Sequence, residues 1–163
     1  MMNENSPMIK TDLLRQMMAN AMPRFKTDPE SLEIYVSEGV LVSSAALRSA
    51  SFEYRYVMEV LLMDHPADDV DAAMLAVELW AQNYQPDLLI NAERWHDGVK
   101  FQAQILSDST VDLLLKIRTT EIVIVEAVNG KPQFKHVADK APEMSGHPSK
   151  LRELANMIGM NGE

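Results

Sequence analysis

The densest group of possible metal ligands lies between positions 64 and 71. It comprises Asp64, His65, Asp68, Asp69 and Asp71. Carboxylate oxygens at close spacing are the ligands that Mg²⁺ and Ca²⁺ prefer, so a metal-dependent hydrolase is one interpretation. The spacing lacks the glycine and the closing glutamate of an EF-hand loop. Acids are also favoured at a helix N-terminus by the helix dipole, and we favour this second interpretation.

A second group, Glu93, His96 and Asp97, has residue types that can act in acid–base catalysis. It lies in a polar stretch with no readable nucleophile or oxyanion element nearby, so we interpret it as a solvated loop anchored by Trp95. The sequence has no cysteine, no glycine-rich phosphate loop and no zinc-protease helix motif. We therefore predict no enzyme activity, no metal and no cofactor.

Composition limits the remaining classes of protein. A chain of 163 residues fits one domain, and 47% hydrophobic residues suffice for a core. The net charge of −9 argues against broad binding to nucleic-acid phosphates, which needs a lysine- and arginine-rich surface. No apolar run is long enough to span a membrane, and residues 1–7 lack the apolar core of a signal peptide. We expect no membrane association and synthesis in a cytoplasm.

The stretch from Ser51 to Met63 alternates strictly and predicts a long central strand. Its apolar side is the heaviest apolar stripe in the sequence, and the other elements are expected to cover it. Its opposite side begins with Glu53, Arg55 and Glu59. The apolar side consists of Phe52, Tyr54, Tyr56, Met58, Val60 and Leu62.

Two helices and several further strands are expected around this strand. Thr11 or Asp12 is predicted to cap the first helix, and the second is predicted to run from the aspartates to about Gln85. Asn129-Gly130 is a strong hairpin signal, and Pro132 confines the strand that follows it to a sheet edge. The other predicted strands are Leu32 to Val36, Val40 to Ser43, Val99 to Leu106, Thr110 to Arg118, Glu121 to Val128 and Lys131 to Val137.

This order predicts an α+β fold, with a mostly antiparallel sheet and two main helices packed on one face. Residues 1–137 are expected to form a single domain, and residues 138–163 a linker and C-terminal arm with a short helix. The arm carries a small apolar stripe that cannot form a core alone, so it is expected to dock on the body or on a neighbouring subunit. The stripe consists of Leu151, Leu154, Met157 and Ile158.

Several segments share their order and spacing with a known family. Ser51-Phe52-Glu53-Tyr54-Arg55-Tyr56 resembles the central signature of the phage tail completion protein R family of contractile-tailed temperate phages. The segments Thr11 to Arg15, Gln85 to Leu89 and Thr110 to Leu113 resemble its opening, the end of its second helix and its later hairpin. The family's Asn-Asp before that threonine is Asp108-Ser109 here. The resemblance covers about Thr11 to Val128.

The resemblance implies a structural role in the virion, without catalytic residues. Proteins of this kind cap the head-proximal end of the tail, stop tube growth and prepare head–tail joining. The resemblance to tail terminators implies a homo-oligomeric ring, most often a hexamer, with DNA passing through its lumen without specific binding. The implied partners are the tail tube protein and possible sheath and head–tail connector proteins. A head–tail adaptor and a sheath-capping protein are the alternatives.

One sheet face is the candidate interface of such a ring. Glu53, Arg55 and Glu59 share a face of the central strand, and Lys116 and Arg118 are expected on a similar polar face of the hairpin. These charges form either a solvated surface, in which each pair contributes only ~0–1 kcal/mol, or a contact with a neighbouring subunit or the tube end. In the second case, charges of both signs would set register more than affinity. The stripe of the C-terminal arm is expected to belong to the same interface.

Overall fold

The computed structural model describes residues 7–43, 51–94 and 96–138 and has an α+β fold. A five-stranded antiparallel sheet carries its main helices, α1 and α3, on one face, as predicted. We call this the helix face and the opposite side the outer face. The elements are α1 (Ile9–Ala21), α2 (Arg24–Thr27), β1 (Leu32–Ser43), β2 (Phe52–Pro66), α3 (Val70–Tyr84), α4 (Asp87–Ile90), β3 (Val99–Ile105), β4 (Thr110–Val128) and β5 (Lys131–Val137).

The sheet has the strand order β1-β2-β4-β3, and β5 also pairs with β4. Ile122 of β4 pairs with Glu53 of β2 and with Val137 of β5, so β5 lies on the edge of β4 opposite β2. Ile117 pairs in the same way with Met58 of β2 and Val99 of β3. Strands β3 and β5 therefore follow one another along the same edge of β4.

The core forms between α1, α3 and the middle of β2 and β4. In β2, Met58, Val60 and Leu62 are completely buried, as the alternation predicts. The apolar residues at every second position of β4 face the same layer, because cross-strand partners share a face. The other fully buried residues of this layer include Leu14, Met18, Ala76 and Trp80 from the helices and Leu113, Leu115 and Ile117 from β4.

Strand β4 is longer than the sequence pattern indicates. The predicted segments Thr110 to Arg118 and Glu121 to Val128 form one 19-residue strand. Thr119 and Thr120 join them, because their partners Tyr56 and Arg55 continue the ladder of β2 without a break. The two predicted pieces of β1 also form one strand, whose register shifts at a bulge between Val36 and Glu38.

The predicted cap of the first helix is wrong. Helix α1 begins at Ile9, before both predicted capping residues, and Thr11 instead donates its hydroxyl to the Met8 carbonyl. A side chain from the sheet, Glu121, accepts hydrogen bonds from the first backbone N–H groups of the helix. Because this carboxylate comes from a distant strand, no local sequence pattern signals where the helix begins.

The second helix and the last hairpin agree with the sequence. A short 3₁₀ turn, Ala67–Asp69, leads into α3, so the aspartates do stand at a helix start. Asn129 and Gly130 both have positive φ angles, 54° and 75°, as the two central residues of the tightest hairpin turns require. The described helices are all too short or too polar to cross a membrane. The predicted C-terminal arm lies outside the described residues.

Candidate functional site: the outer sheet face

The five charged candidates of the sheet lie together on the outer face, away from α1 and α3. Glu59 pairs directly with Lys116 in the β2–β4 register, and Arg118 is opposite Val57. Glu53 and Arg55 continue the same face toward the end of the sheet, because they are four and two residues from Val57, respectively. The structure therefore brings these residues onto one surface.

Each charge on this surface already has a partner of opposite sign within the subunit. The nitrogen–oxygen distances are 3.4 Å for Arg55–Glu53, 3.7 Å for Lys116–Glu59 and 2.8 Å for Arg118–Asp97. The basic side chains are about half exposed, whereas Glu59 is buried beneath its neighbours on this face. The exposed Arg55–Glu53 pair contributes only ~0–1 kcal/mol to stability. The outer face thus carries charges of both signs, several of them paired within the subunit.

Large apolar side chains are exposed between these charges. Tyr35 of β1 lies opposite Glu59, and Val40 lies opposite Arg55. Ile122 of β4 lies opposite Glu53 and is also exposed. Aromatic residues such as Tyr35 are enriched in the buried centres of protein–protein interfaces, so this face is compatible with one.

A hollow of about 270 Å³ brings three arginines together. Arg55 and Arg118 come from the sheet, and Arg94 comes from the connection after α4. Arg94 pairs with Asp87 at 2.8 Å, but its buried Nη1 atom has no hydrogen-bond partner among the described residues. All three arginines are paired with acids of the same subunit, and Glu38 also lines the hollow. Sequence reasoning missed Arg94, because nothing in its loop marks it as a neighbour of the sheet.

The polar centre of the subunit lies on the helix face. The carboxylate of Glu121 is almost fully buried and accepts hydrogen bonds from the backbone N–H groups of Ile9 and Lys10 at 3.1 and 3.0 Å. The Tyr56 hydroxyl donates to it at 3.2 Å, and Nδ1 of His136 also contacts it. The positive end of the α1 dipole stabilises this buried negative charge. Glu121 therefore joins α1, β2, β4 and β5.

Further contacts extend this polar centre. The Lys10 ammonium donates to Gln85 at 2.8 Å, and the Trp80 indole donates to the Lys10 carbonyl at 2.9 Å. Burial, followed by the charge of Glu121, raises the pKa of Tyr56 far above its usual range, so its hydroxyl remains a donor. His136 and Tyr56 are far from Glu121 in the chain, at 15 and 65 positions, so no local pattern indicates this network.

The possible metal ligands between positions 64 and 71 do not lie around a common site. His65 is completely buried, with Nε2 at 2.9 Å from the Asp69 carbonyl, and its ring stacks on Phe25. Burial lowers the pKa of His65. The carboxylates of Asp68 and Asp71 are exposed around the start of the helix. Within the described ranges, no three histidine, aspartate or glutamate residues are placed to hold a metal ion.

The second acid–base group is also dispersed. Asp97 pairs with Arg118 at 2.8 Å, which holds the loop against β4, while Glu93 and His96 are exposed. The interface candidates of the C-terminal arm, Leu151, Leu154, Met157 and Ile158, lie outside the described residues. Their assignment stays a prediction.

The described part of the chain has the features of a structural assembly subunit: a core tied together by a buried carboxylate, and a sheet face that none of the described helices covers. The family model of the P2 phage tail completion protein R (GpR) matches residues 8–142. The chain belongs to this family, as the sequence resemblance indicated. The match also includes β5, which the resemblance did not reach.

A curated relative gives the same assignment. The chain is 33% identical over 135 residues to the tail completion protein R of Escherichia phage P2. The aligned region covers 83% of this chain and 86% of that protein. No solved structure matches the chain significantly. The protein is a structural component of a phage tail, and therefore of the virion, and not an enzyme. It interacts with other tail components.

Proposed function

We propose that this protein is the terminator subunit of a phage tail. It caps the head-proximal end, stops tube growth and prepares the tail for joining to the head. Its membership of the tail completion family supports this role, and the uncovered outer sheet face is the structural observation that carries it. The subunit acts as a homo-oligomeric ring, most simply a hexamer, seated on the tube protein and beside sheath and connector proteins.

The outer face is the proposed contact with the next subunit or with the tube end. A closed ring needs a heterologous interface, in which one surface meets a different surface of its neighbour. In this proposal the hollow lined by Arg55, Arg94 and Arg118 receives a polar side chain of that neighbour, and the exposed Tyr35 and Val40 provide apolar contact. Charges of both signs around them fix the register and reject wrong partners.

The net charge of the chain suits a DNA-conducting ring. A net charge of −9 disfavours tight binding to phosphates, which needs a lysine- and arginine-rich surface. DNA therefore passes through the lumen without being retained. We further propose that residues 1–137 form a single tail-terminator-like domain and that residues 138–163 form a linker and C-terminal arm.

Tail length distinguishes the terminator from the two alternatives. Lysates of a phage lacking this protein are examined by negative-stain electron microscopy, with the wild-type gene supplied as the positive control. A missing terminator gives tubes of uncontrolled length. Tails of normal length that fail to join heads would indicate an adaptor, and sheaths that detach from normal tubes would indicate a sheath cap.

The outer face is tested by a matched pair of charge reversals. Arg55→Glu lies in the proposed interface, whereas Lys26→Glu makes the same charge change on the exposed surface of α2, away from the sheet. We expect Arg55→Glu to fold, to reduce infectious particles strongly and to act more severely at low salt, where charges are less screened. Lys26→Glu should complement normally. Equal complementation by both variants would exclude the Arg55 surface from the interface.

A further inference from the structure

Strand β3 carries an apolar stripe that the described helices leave uncovered. Its seven residues are all exposed, including Phe101 at 61% and Ile105 at 78%. The stripe points to the helix face, because Phe101 pairs with Leu115 of β4, which is completely buried there. The helix layer thus stops at β4, one strand before the edge of the sheet. We call Val99, Phe101, Ala103 and Ile105 the β3 stripe.

The chain leaves β5 in the direction of this stripe. Strands β3 and β5 lie on the same edge of β4 and both run antiparallel to it. Strand β5 ends with Val137 opposite Ile122, and β3 begins with Val99 opposite Ile117. Strand β5 therefore ends on the same edge of the sheet as β3 and runs in the direction of the start of β3.

The distances match the length of the segment. At ~3.4 Å per residue of β4, Phe101 lies about 24 Å beyond the end of β5. The 14 steps from Val137 to Leu151 have a root-mean-square span of roughly 20 Å as a flexible chain and a maximum near 46 Å. A linker whose span matches the separation gives the highest effective concentration of its end at the site.

The apolar residues of the arm also match the stripe in size. As a helix, Leu151 to Ile158 extends about 10 Å. The part of β3 from Phe101 to Ile105 extends about 14 Å. Leu151, Leu154 and Ile158 recur at three- and four-residue steps and would share one helix face.

We propose that residues 149–160 form a helix that packs on the β3 stripe of the same subunit, with Leu151, Leu154, Met157 and Ile158 facing Phe101 and Ile105. The arm then completes the helix layer over the last strand. Docking within the same chain is favoured over docking on a second copy, because the short linker holds the arm at roughly millimolar effective concentration.

Paired cysteines test this contact in the full chain, which has no native cysteine. The variant Phe101→Cys/Leu154→Cys is oxidised, and its disulfide is measured by mass and by non-reducing electrophoresis. The matched control is Phe134→Cys/Leu154→Cys. Phe134 is also 61% exposed, but it lies on β5, nearer to the start of the arm. A freely moving arm would reach Phe134 at least as often as Phe101.

We expect a disulfide within one chain to form at least roughly tenfold faster in the Phe101 pair than in the Phe134 pair, independently of protein concentration. Ile105→Cys/Met157→Cys should behave like the Phe101 pair, which guards against misfolding of a single variant. Equal rates in the Phe101 and Phe134 pairs would overturn the proposal, because the arm would then be undocked. Disulfides mainly between chains would also overturn it, since the arm would then cover the strand of a neighbour.

Discussion

Replacing Glu121 by leucine removes the group that joins α1 to the sheet. The backbone N–H groups of Ile9 and Lys10 and the hydroxyl of Tyr56 all donate to this buried carboxylate. After the substitution these donors stay near an apolar side chain that cannot accept a hydrogen bond. The same change releases His136, and with it one contact between β4 and β5.

The expected loss of stability follows from these contacts. Each buried donor left without an acceptor costs about 1–3 kcal/mol. The leucine side chain recovers part of this through its own burial, at most roughly 1.5–3 kcal/mol. A net destabilisation of about 3–5 kcal/mol is expected, similar to breaking a buried ion pair by removing one partner. Glu121→Gln keeps an acceptor oxygen but loses the charge, so a smaller loss of about 1–2 kcal/mol is expected.

Urea denaturation followed by circular dichroism measures these differences. Glu126→Leu is the matched control, because Glu126 is on the same strand and exposed. This control should change the free energy of unfolding by less than about 0.5 kcal/mol. If Glu121→Leu is as stable as Glu126→Leu, the carboxylate does not hold the helix to the sheet and the reasoning is refuted.

Three further variants test other parts of the fold by denaturation. Because burial lowers the pKa of His65, the unfolded chain binds a proton at this residue below pH ~6.5 before the folded chain does. The free energy of unfolding therefore decreases as the pH decreases, by up to about 1.4 kcal/mol per pH unit. His65→Gln should lose less stability than the wild type between pH 7.5 and 5.5, and an equal loss in the two proteins would contradict this. Gly98→Ala should cost about 1–3 kcal/mol, because the added Cβ would lie 2.5 Å from the Arg94 carbonyl oxygen, and wild-type stability would contradict that geometry. Tyr54→Asp should destabilise the protein, because it places a charge in the half-buried cluster of Phe52, Tyr54 and His136. Glu53→Gln should change the free energy of unfolding by less than about 0.5 kcal/mol. Equal melting temperatures of the two variants would show that the faces of β2 are assigned wrongly.

The sequence predicted the parts of the fold that local patterns determine. Strict alternation located β2 and its buried side, and Asn129-Gly130 located the last hairpin. The aromatic side of β2 is less uniform than predicted: Tyr56 is buried, whereas Phe52 and Tyr54 are only half-buried. Alternation identifies a face but cannot show how far along the strand the helix layer extends.

The features that sequence reasoning missed depend on contacts between distant segments. Glu121 looked like one polar residue of a β-branched strand, yet its partners Ile9 and Lys10 are more than 100 positions away. The joining of two predicted strands into β4 depends on the unbroken ladder of β2, which local propensity does not encode. The alternation of β3 predicted a strand correctly, but its apolar side is exposed.

The most direct test of the proposed function is cryo-electron microscopy of wild-type tails in which this protein carries a small fused tag. The proposal predicts tag density at the head-proximal end alone, arranged around a closed ring that averages with six-fold symmetry. Tag density elsewhere on the tail, or a two-fold symmetric dimer both in solution and on the tail, would contradict the assignment as a terminator ring.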